Sequence, residues 1–269
     1  MEFEATFYGR PNTIKTYTSL YRKHIKARDY CPDWIKWDEE STQIMLAEWD
    51  RRGLGRSTKI TLTRLLARYV KFNGGPDIET AKFIRGLERS EQQREVTTLT
   101  PAESSSLMKR AKKAKPEFYP VLLLALHAGL RRGEIFGLRC KDVDVLNGKI
   151  MVSHSYNGPT KSGKSRVVPM SAALAEALMD ARNLLLRGQD EKVFEQFDPN
   201  PVLRGLCRKE GIAPIRFHDL RHTFASLALT NGVNPKQVSA WLGHSSAVTT
   251  LAIYWNLTTE VANLDFLPD

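Results

Sequence analysis

Cysteine is scarce in this sequence, with three residues among 269. Cys31, Cys140 and Cys207 lie far apart and are odd in number, so they match neither a disulfide framework nor the close spacing of a zinc knuckle. Free cysteine is among the most frequently buried side chains. The pattern therefore argues against a disulfide scaffold and favours buried thiols.

Long apolar segments are also missing. The longest unbroken apolar run extends from Val121 to Leu126, far short of the roughly 20 residues that a membrane-spanning helix needs. The first residues, Met1 to Glu4, have neither the basic start nor the apolar core of a signal peptide. We therefore expect a cytoplasmic protein without a membrane partner.

Acidic residues are in short supply. The chain has 30 Asp and Glu against 40 Lys and Arg, which gives a formal net charge of +10. This excess favours a polyanionic partner such as nucleic acid, although many basic proteins bind none. The composition, 42% hydrophobic and 26% charged, is typical of a folded globular protein of one large domain or two ordinary ones.

The first part of the chain has the periodicity of helices. Asn12 or Thr13 is predicted to cap the first helix, a second helix follows Ser41, and a third spans residues 56–72. In the third, apolar side chains at helical spacing predict one face turned to a core, formed by Leu62, Leu65, Leu66 and Tyr69.

A second face of that third helix is basic, and the helix contains no acid. This face carries Arg64, Arg68 and Lys71. It could simply be solvated, as most charged helix faces are, or it could lie against DNA phosphates.

A polar stretch between Ser90 and Leu99 indicates a domain boundary. We predict a helical domain over residues 1–92, a linker over 93–99 and a second domain over 100–269. The second domain begins with Thr100, Pro101 and Glu103 in the positions of an N-cap, a first helical residue and a capping-box glutamate.

The second domain mixes helices with a few strands. A helix is predicted to end near Gly129, and a hairpin follows with a two-residue turn at Asn147 and Gly148. A turn-rich stretch then precedes a strand over residues 166–169, and helices are predicted over 171–187, 199–210, 218–230, 235–242 and 248–255. The expected fold class is mainly α with a small antiparallel β-sheet (α+β).

The densest group of polar residues is His218-Asp219-Leu220-Arg221-His222. At 100° per residue, His218, Arg221 and His222 fall on one side of a helix, near its N-terminus. A guanidinium group suits a phosphate, and a histidine can move a proton beside it at neutral pH. The group predicts an anion site.

Two other interpretations of this group stay open. Arg221 could pair structurally with Asp219 or another carboxylate. Two histidines four positions apart could also chelate zinc, but a zinc protease would have glutamate where Asp219 stands, and the charge of Arg221 would repel a dication. We therefore expect no metal site.

The neighbouring motifs give this group a context. In chain order they are Gly129-Leu130-Arg131-Arg132-Gly133-Glu134, Lys161 in a turn-rich stretch, His218-Asp219-Leu220-Arg221, Leu242-Gly243-His244 and Tyr254. This order resembles the tyrosine recombinases, or phage integrase family, and the basic helical segment before it resembles their core-binding domain. Each motif is weak alone, but five in order over about 125 residues are very specific.

The resemblance implies a role for each motif residue. Arg131 and Arg221 would clamp the scissile phosphate, and Lys161 would be the general acid for the leaving 5′ oxygen. His218 and His244 would bind phosphate oxygens or assist proton transfer, with Glu134 as a supporting residue. Tyr254 would attack phosphorus and form a 3′-phosphotyrosyl link, without ATP, magnesium or any other cofactor.

Three details depart from this assignment or leave a choice. Lys164 competes with Lys161 for the acid, and Arg132 could replace Arg131 if the loop register differs. Tyr254 lies ten positions after His244, where many members have nine. A tyrosine in an apolar helix is otherwise usually part of a core.

The function implied is site-specific recombination of double-stranded DNA for integration or excision of a mobile element. The resemblance implies that the protein is a monomer in solution and a homotetramer on DNA, with the tail after Tyr254 docked on a neighbouring protomer. Accessory DNA-bending proteins are possible further partners. A chromosome-dimer resolvase and a type IB topoisomerase share the chemistry. A regulator that has lost catalysis would lack a motif residue, and none is missing.

Overall fold

The computed structural model describes residues 2–26, 34–89, 97–160, 163–180 and 188–244. Their helices and strands confirm a mainly α fold with a small antiparallel sheet. The chain divides into two compact units, Met1–Arg94 and Glu95–Asp269. None of the described helices has both the length and the apolar content to cross a bilayer.

The first unit contains four α-helices in the part that is described: α1 (Pro11–Tyr21), α2 (Glu39–Arg51), α3 (Arg56–Phe72) and α4 (Thr80–Arg89). Shorter helical turns lie at Phe3–Thr6, Arg22–Lys26 and Trp34–Lys36. The predicted bounds of α3 are confirmed, and Leu62, Leu65 and Leu66 are buried as expected. The core of this unit is rich in aromatic rings, among them Phe3, Tyr21 and Trp49.

Three features of the first unit differ from prediction. Helix α2 begins at Glu39, before Ser41, because the Asp38 side chain caps it by accepting from the Ser41 backbone N–H. Helix α1 begins at Pro11, with Arg10 at the N-cap, rather than at a cap formed by Asn12 or Thr13. Proline is favoured at the first helical position because its φ is already helical and its missing N–H would have no partner there. Helix α4 was not predicted.

The second unit is built around an apolar helix. Its helices are α5 (Pro101–Ala114), α6 (Tyr119–His127), α7 (Arg132–Ile135), α8 (Ala172–Asp180), α9 (Pro199–Lys209), α10 (Phe217–Thr230) and α11 (Pro235–Leu242). The run from Val121 to Leu126 in α6 is buried on every side, and α10 packs against it. The capping box between Thr100 and Glu103 is present as predicted.

The strands of this unit are β1 (Val143–Asp144), β2 (Lys149–Val152), β3 (His154–Ser155), β4 (Gly158–Pro159) and β5 (Arg166–Pro169). β1, β2 and β5 form an antiparallel sheet in that order, and β3 pairs with β4. The strand predicted over residues 166–169 is confirmed as β5.

The predicted two-residue hairpin turn is wrong. Asp144 pairs with Lys149, so residues 145–148 form a four-residue loop. The Asp144 carboxylate accepts hydrogen bonds from the backbone N–H and the side-chain amide of Asn147, at 3.0 and 2.7 Å. This local bonding closes the longer loop and takes Asn147 out of a two-residue turn.

Candidate active site

The segment between α6 and α7 places Arg131 and Glu134 side by side. Gly129 has φ +62° and ends α6 by turning the chain, and Leu130 is buried in the core. Arg131 is the N-cap of α7, and the Glu134 carboxylate, three residues later, accepts from the Arg131 backbone N–H at 2.8 Å. The Arg131 guanidinium also donates to Glu134 at 2.9 Å. The motif spacing is therefore that of a helix cap reinforced by an ion pair.

Glu134 is buried and is shared by two arginines. Arg166 of β5 donates through both terminal nitrogens to the two Glu134 oxygens, at 2.9 and 2.7 Å. Burial alone would raise the pKa of Glu134, but the hydrogen bonds and charge of Arg166, with the charge and backbone N–H of Arg131, lower it overall. Glu134 therefore remains ionised at neutral pH.

Arg221 enters the same region from α10. It is 3% exposed, and its two terminal nitrogens donate to the Gly129 and Leu242 carbonyl oxygens at 2.6 and 2.5 Å. It therefore ties together the ends of α6 and α11. Asp219, considered as its partner, instead accepts from Arg216 at 2.9 Å and from the Arg216 backbone N–H at 2.8 Å.

The Leu-Gly-His motif forms the end of α11. Gly243 has φ +64° and forms the C-cap, so the His244 backbone N–H donates back to the Ser239 carbonyl at 3.1 Å. A Cβ added to Gly243 would come within 3.0 Å of the Arg166 Nη1 atom. Glycine is thus favoured by the left-handed turn and also leaves space for the close approach of Arg166.

Both predicted histidines lie within the electrostatic influence of the arginines. Partial loss of hydration lowers the pKa of His218 to about 4, with contributions from the charges of His222, Arg221 and Arg131, while the residue as a whole remains exposed. Partial burial also lowers the pKa of His244 to about 4, with contributions from Arg221 and Arg131. Both rings are therefore neutral at pH 7 and able to accept a proton.

These histidines should make the stability of the protein depend on pH. The unfolded chain takes up both protons near pH 6.5, whereas the folded chain takes them up near pH 4, so stability falls as the pH drops between these values. We expect the thermal midpoint to decrease from pH 7 to pH 5, and the double variant His218→Gln/His244→Gln to show a smaller decrease. If the thermal midpoint of that variant fell with pH as steeply as that of the wild type, the lowered pKa values of His218 and His244 would be contradicted.

The two adjacent motif arginines point in different directions. Arg131 contacts Glu134, whereas the Arg132 side chain is about half exposed and lies 3.6 Å from Asp198. A cleft of about 550 Å³ opens beside Arg132, and it is also lined by Asn200, Arg204, Arg216 and His218. The cleft gives Arg132 a surface position next to His218.

Two predicted catalytic residues fall outside the described part of the chain, Lys161 and Tyr254. The same holds for the helix predicted over residues 248–255 and for the apolar tail. Near Lys161, the buried Thr160 hydroxyl donates to the Lys164 carbonyl oxygen at 2.8 Å. Lys164, the competing acid, is exposed.

The basic face predicted on α3 is partly occupied by contacts within the first unit. Arg68 donates to the Thr6 carbonyl at 3.1 Å and lies over the rings of Phe7 and Tyr8. Lys71 pairs with Asp77, while Arg64 is exposed. A second basic surface, on α1 and the turn after it, was not predicted; it is lined by Lys15, Thr18, Ser19, Arg22 and Lys23.

Two other features bear on the choice of site. In the described ranges, no group of three or more His, Cys, Asp or Glu is arranged to hold a metal ion. An apolar groove of about 580 Å³ lies near Tyr119 and Phe197, and its charged lining is four acidic residues against one lysine: Glu117, Glu176, Asp180, Glu195 and Lys112. A polyanion would be repelled there, which leaves the arginine cluster as the candidate site.

Arg166 is the site residue that the sequence motifs did not indicate. It lies in a short strand, Arg-Val-Val-Pro, whose single basic residue is unremarkable on its own. Its partners, Glu134 and Trp241, lie 32 and 75 positions away in the sequence. The one available hint was that a buried carboxylate such as Glu134 needs a cationic partner.

Comparison with known proteins assigns the family. Residues 97–260 match the profile of the phage integrase family. The chain belongs to that family. It is 28% identical to the tyrosine recombinase XerA of Thermococcus onnurineus, over 93% of this chain and 86% of XerA. It is 29% identical to the transposase from transposon Tn916 of Enterococcus faecalis, over 62% of this chain and 49% of that protein.

A solved structure has the same fold as this family member. The integrase of transposon Tn1549, determined in complex with transposon right-end DNA, superposes with a TM-score of 0.77. The match covers 97% of this chain and 93% of that one, at 21% identity. The prediction of a tyrosine recombinase, an enzyme of site-specific DNA recombination, is confirmed.

Proposed function

We propose that this recombinase cleaves duplex DNA by attack of the Tyr254 hydroxyl on a backbone phosphorus. The bond from the Tyr254 oxygen to phosphorus forms while the bond from phosphorus to the 5′ oxygen breaks. A 3′-phosphotyrosyl link and a free 5′ hydroxyl result, and attack by a second 5′ hydroxyl reverses the step. One phosphate ester is exchanged for another, so the balance requires no ATP.

The arginine and histidine side chains around the end of α11 support this chemistry. Arg131, Arg166 and Arg221 carry three positive charges against the single carboxylate of Glu134. The resulting excess suits a phosphate whose negative charge grows in a five-coordinate transition state. Arg131 and Arg221 are the clamp, because Arg131 donates to the Gly243 carbonyl and Arg221 to the Leu242 carbonyl, beside His244.

Two protons move in the cleavage step. The tyrosine proton passes to His244 or His218, whose lowered pKa values leave both rings neutral at pH 7 and therefore able to accept it. Lys161 supplies the proton that the leaving 5′ oxygen takes up. The reverse transfers accompany rejoining.

Double-stranded DNA is the proposed partner. The cleft beside His218 presents Arg132, Arg204 and Arg216, which could hold phosphates next to the scissile one. The exposed Arg64 and the basic surface on α1 are further contacts of the first unit, together with Arg68 and Lys71 where DNA displaces their present partners. The Tn1549 integrase, which has this fold, is bound to DNA in its structure.

The proposed biological role is integration or excision of a mobile element. Similarity to the transposase of Tn916 and to the fold of the Tn1549 integrase supports this role. Similarity to XerA leaves room for resolution of chromosome dimers within the same chemistry. We propose that four copies assemble on two duplexes, in the cytoplasm and with accessory DNA-bending proteins where the site requires them.

Covalent trapping tests this function. The purified chain is incubated with fragmented host DNA in EDTA, and fragments that stay attached to protein after denaturation are sequenced. We expect adducts at a small number of sites, carried through a 3′ phosphate. Adducts at the two ends of one element indicate integration and excision, whereas a single chromosomal site indicates dimer resolution.

A nicked duplex built on the recovered site then identifies the nucleophile. We expect the wild type and the control variant Tyr156→Phe to accumulate adduct, and Tyr254→Phe to form none. Tyr156 is a suitable control because it lies in the same unit, its ring lies against Lys192, and its backbone N–H, which the substitution keeps, donates to the Gly133 carbonyl. Cutting that requires a divalent metal and leaves no adduct would overturn the proposed function.

A further inference from the structure

The end of α11 collects three arginines on consecutive carbonyl oxygens. The Trp241, Leu242 and Gly243 carbonyls accept from Arg166, Arg221 and Arg131, at 2.6, 2.5 and 3.4 Å. Carbonyls in the last turn of a helix have no partner within the helix, and the helix dipole makes this end attractive to cations. The turn that carries His244 is therefore held in place by three guanidinium groups from three different elements.

Arg166 differs from the other two arginines in that both its terminal nitrogens bind a carboxylate. Its Nε atom donates to Trp241, and both terminal nitrogens donate to Glu134. Its side chain is 10% exposed, against 26% for Arg131. Each of its nitrogens is thus bound within the protein, two of them to a carboxylate that a phosphate would have to displace, so its influence passes through its partners.

Glu134 is the partner through which Arg166 reaches the clamp. One Glu134 oxygen accepts from Nη1 of both arginines, and the other accepts from Nη2 of Arg166 and from the Arg131 backbone N–H. Two of these four bonds come from Arg166. Without them, Glu134 would be free to draw the Arg131 guanidinium into a two-point ion pair and away from a phosphate.

We propose that Arg166 is a positioning residue for the cleavage reaction, holding Glu134 and the turn before His244 so that Arg131 and His244 face the scissile phosphate. This inference rests on the proposed function. Arg166 contacts Glu134 and the end of α11. We therefore expect it to support stabilisation of charge on the phosphate, and not the proton transfer from Lys161.

Single-turnover cleavage of two substrates tests this assignment. One is the nicked duplex on the recovered site, and the other is the same duplex with sulfur in place of the 5′ bridging oxygen at the scissile phosphate. A thiolate leaves without a proton, so the sulfur substrate removes the need for a general acid. The variants are Arg166→Ala, Arg166→Lys and Lys161→Ala, with Arg139→Ala as a matched control whose guanidinium pairs with Asp190 at the surface.

On the ordinary duplex, we expect Arg166→Ala to cleave about 100-fold more slowly than wild type at saturating DNA, because misplacement of a clamp by about 1 Å has effects of that size. The Kd for DNA should change less than about threefold, and Arg139→Ala should match wild type. Arg166→Lys keeps the charge but cannot make all three hydrogen bonds, so its rate should be intermediate. On the sulfur substrate, Lys161→Ala should recover and Arg166→Ala should not.

Three results would overturn the inference: wild-type cleavage by Arg166→Ala or Arg166→Lys, a defect confined to Kd, or recovery of the Arg166 variants on the sulfur substrate. Circular dichroism shows whether each variant is folded. If Arg166→Ala does not fold, cleavage of the ordinary and sulfur-containing duplexes by Arg166→Lys tests the inference instead. Failure of wild type itself to form an adduct would instead count against the proposed function.

Discussion

Replacing Arg131 with alanine is expected to lower the single-turnover rate of strand cleavage by about a thousandfold, whereas Arg132→Ala stays within about threefold of wild type. The two arginines are adjacent in sequence and have the same chemistry. Arg131 donates to the buried Glu134 and to the end of α11, while Arg132 lies at the surface near Asp198. Comparing the two variants therefore distinguishes the effect of an arginine's position in the site from the effect of losing one positive charge.

The measurement uses the nicked duplex at saturating concentration, so that weaker DNA binding by either variant does not affect the rate. Removing a single preorganised donor to a developing oxyanion commonly lowers rates by about 10²- to 10³-fold, and Arg131 supplies a full charge as well. Arg132→Ala should show its effect in Kd, through the cleft beside His218. Equal losses of rate in the two variants would contradict the assignment of Arg131 as the clamp.

Gly129→Ala is expected to lower the free energy of unfolding by about 2–4 kcal/mol. The added Cβ would come within 2.5 Å of a Phe224 ring carbon and 2.9 Å of a Leu242 methyl carbon, in a backbone with φ +62°. Strain from the left-handed backbone and overpacking against two side chains therefore act together. The Gly129 carbonyl, which accepts from Arg221, would also shift, so cleavage should slow as well.

Gly148→Ala is the matched control for this substitution. Gly148 has φ +61°, nearly the same as Gly129, but a Cβ there would meet no atom within 4 Å. It should therefore cost only the backbone strain, about 1 kcal/mol. Urea titration of the full chain, followed by circular dichroism, measures both free energies. Equal destabilisation by the two variants would show that close packing at Gly129 contributes nothing.

The elements that sequence predicted well are those specified by local bonding. The bounds of α3 follow from helical spacing of its leucines, and the start of α5 follows from the Thr100 and Glu103 capping box. The hairpin loop was misjudged because the Asp144 side chain competes for Asn147 and lengthens the loop. The Asn-Gly dipeptide alone is typical of a two-residue turn, and the side chain that lengthens the loop lies three residues before it.

Sequence alone identified the family, because five motifs occur in the order typical of it, and the residues proposed for the reaction follow from that resemblance. It also predicted the helix ends near Gly129 and at Leu242, since those depend on local backbone conformation. The arrangement of the charges was decided by tertiary structure. Arg166 and Glu134 lie 32 positions apart, and the end of α11 meets Arg131, Arg166 and Arg221 only after α7, β5 and α10 have packed around it. A buried carboxylate and helix-end carbonyls must find donors, but sequence does not say which arginine reaches them.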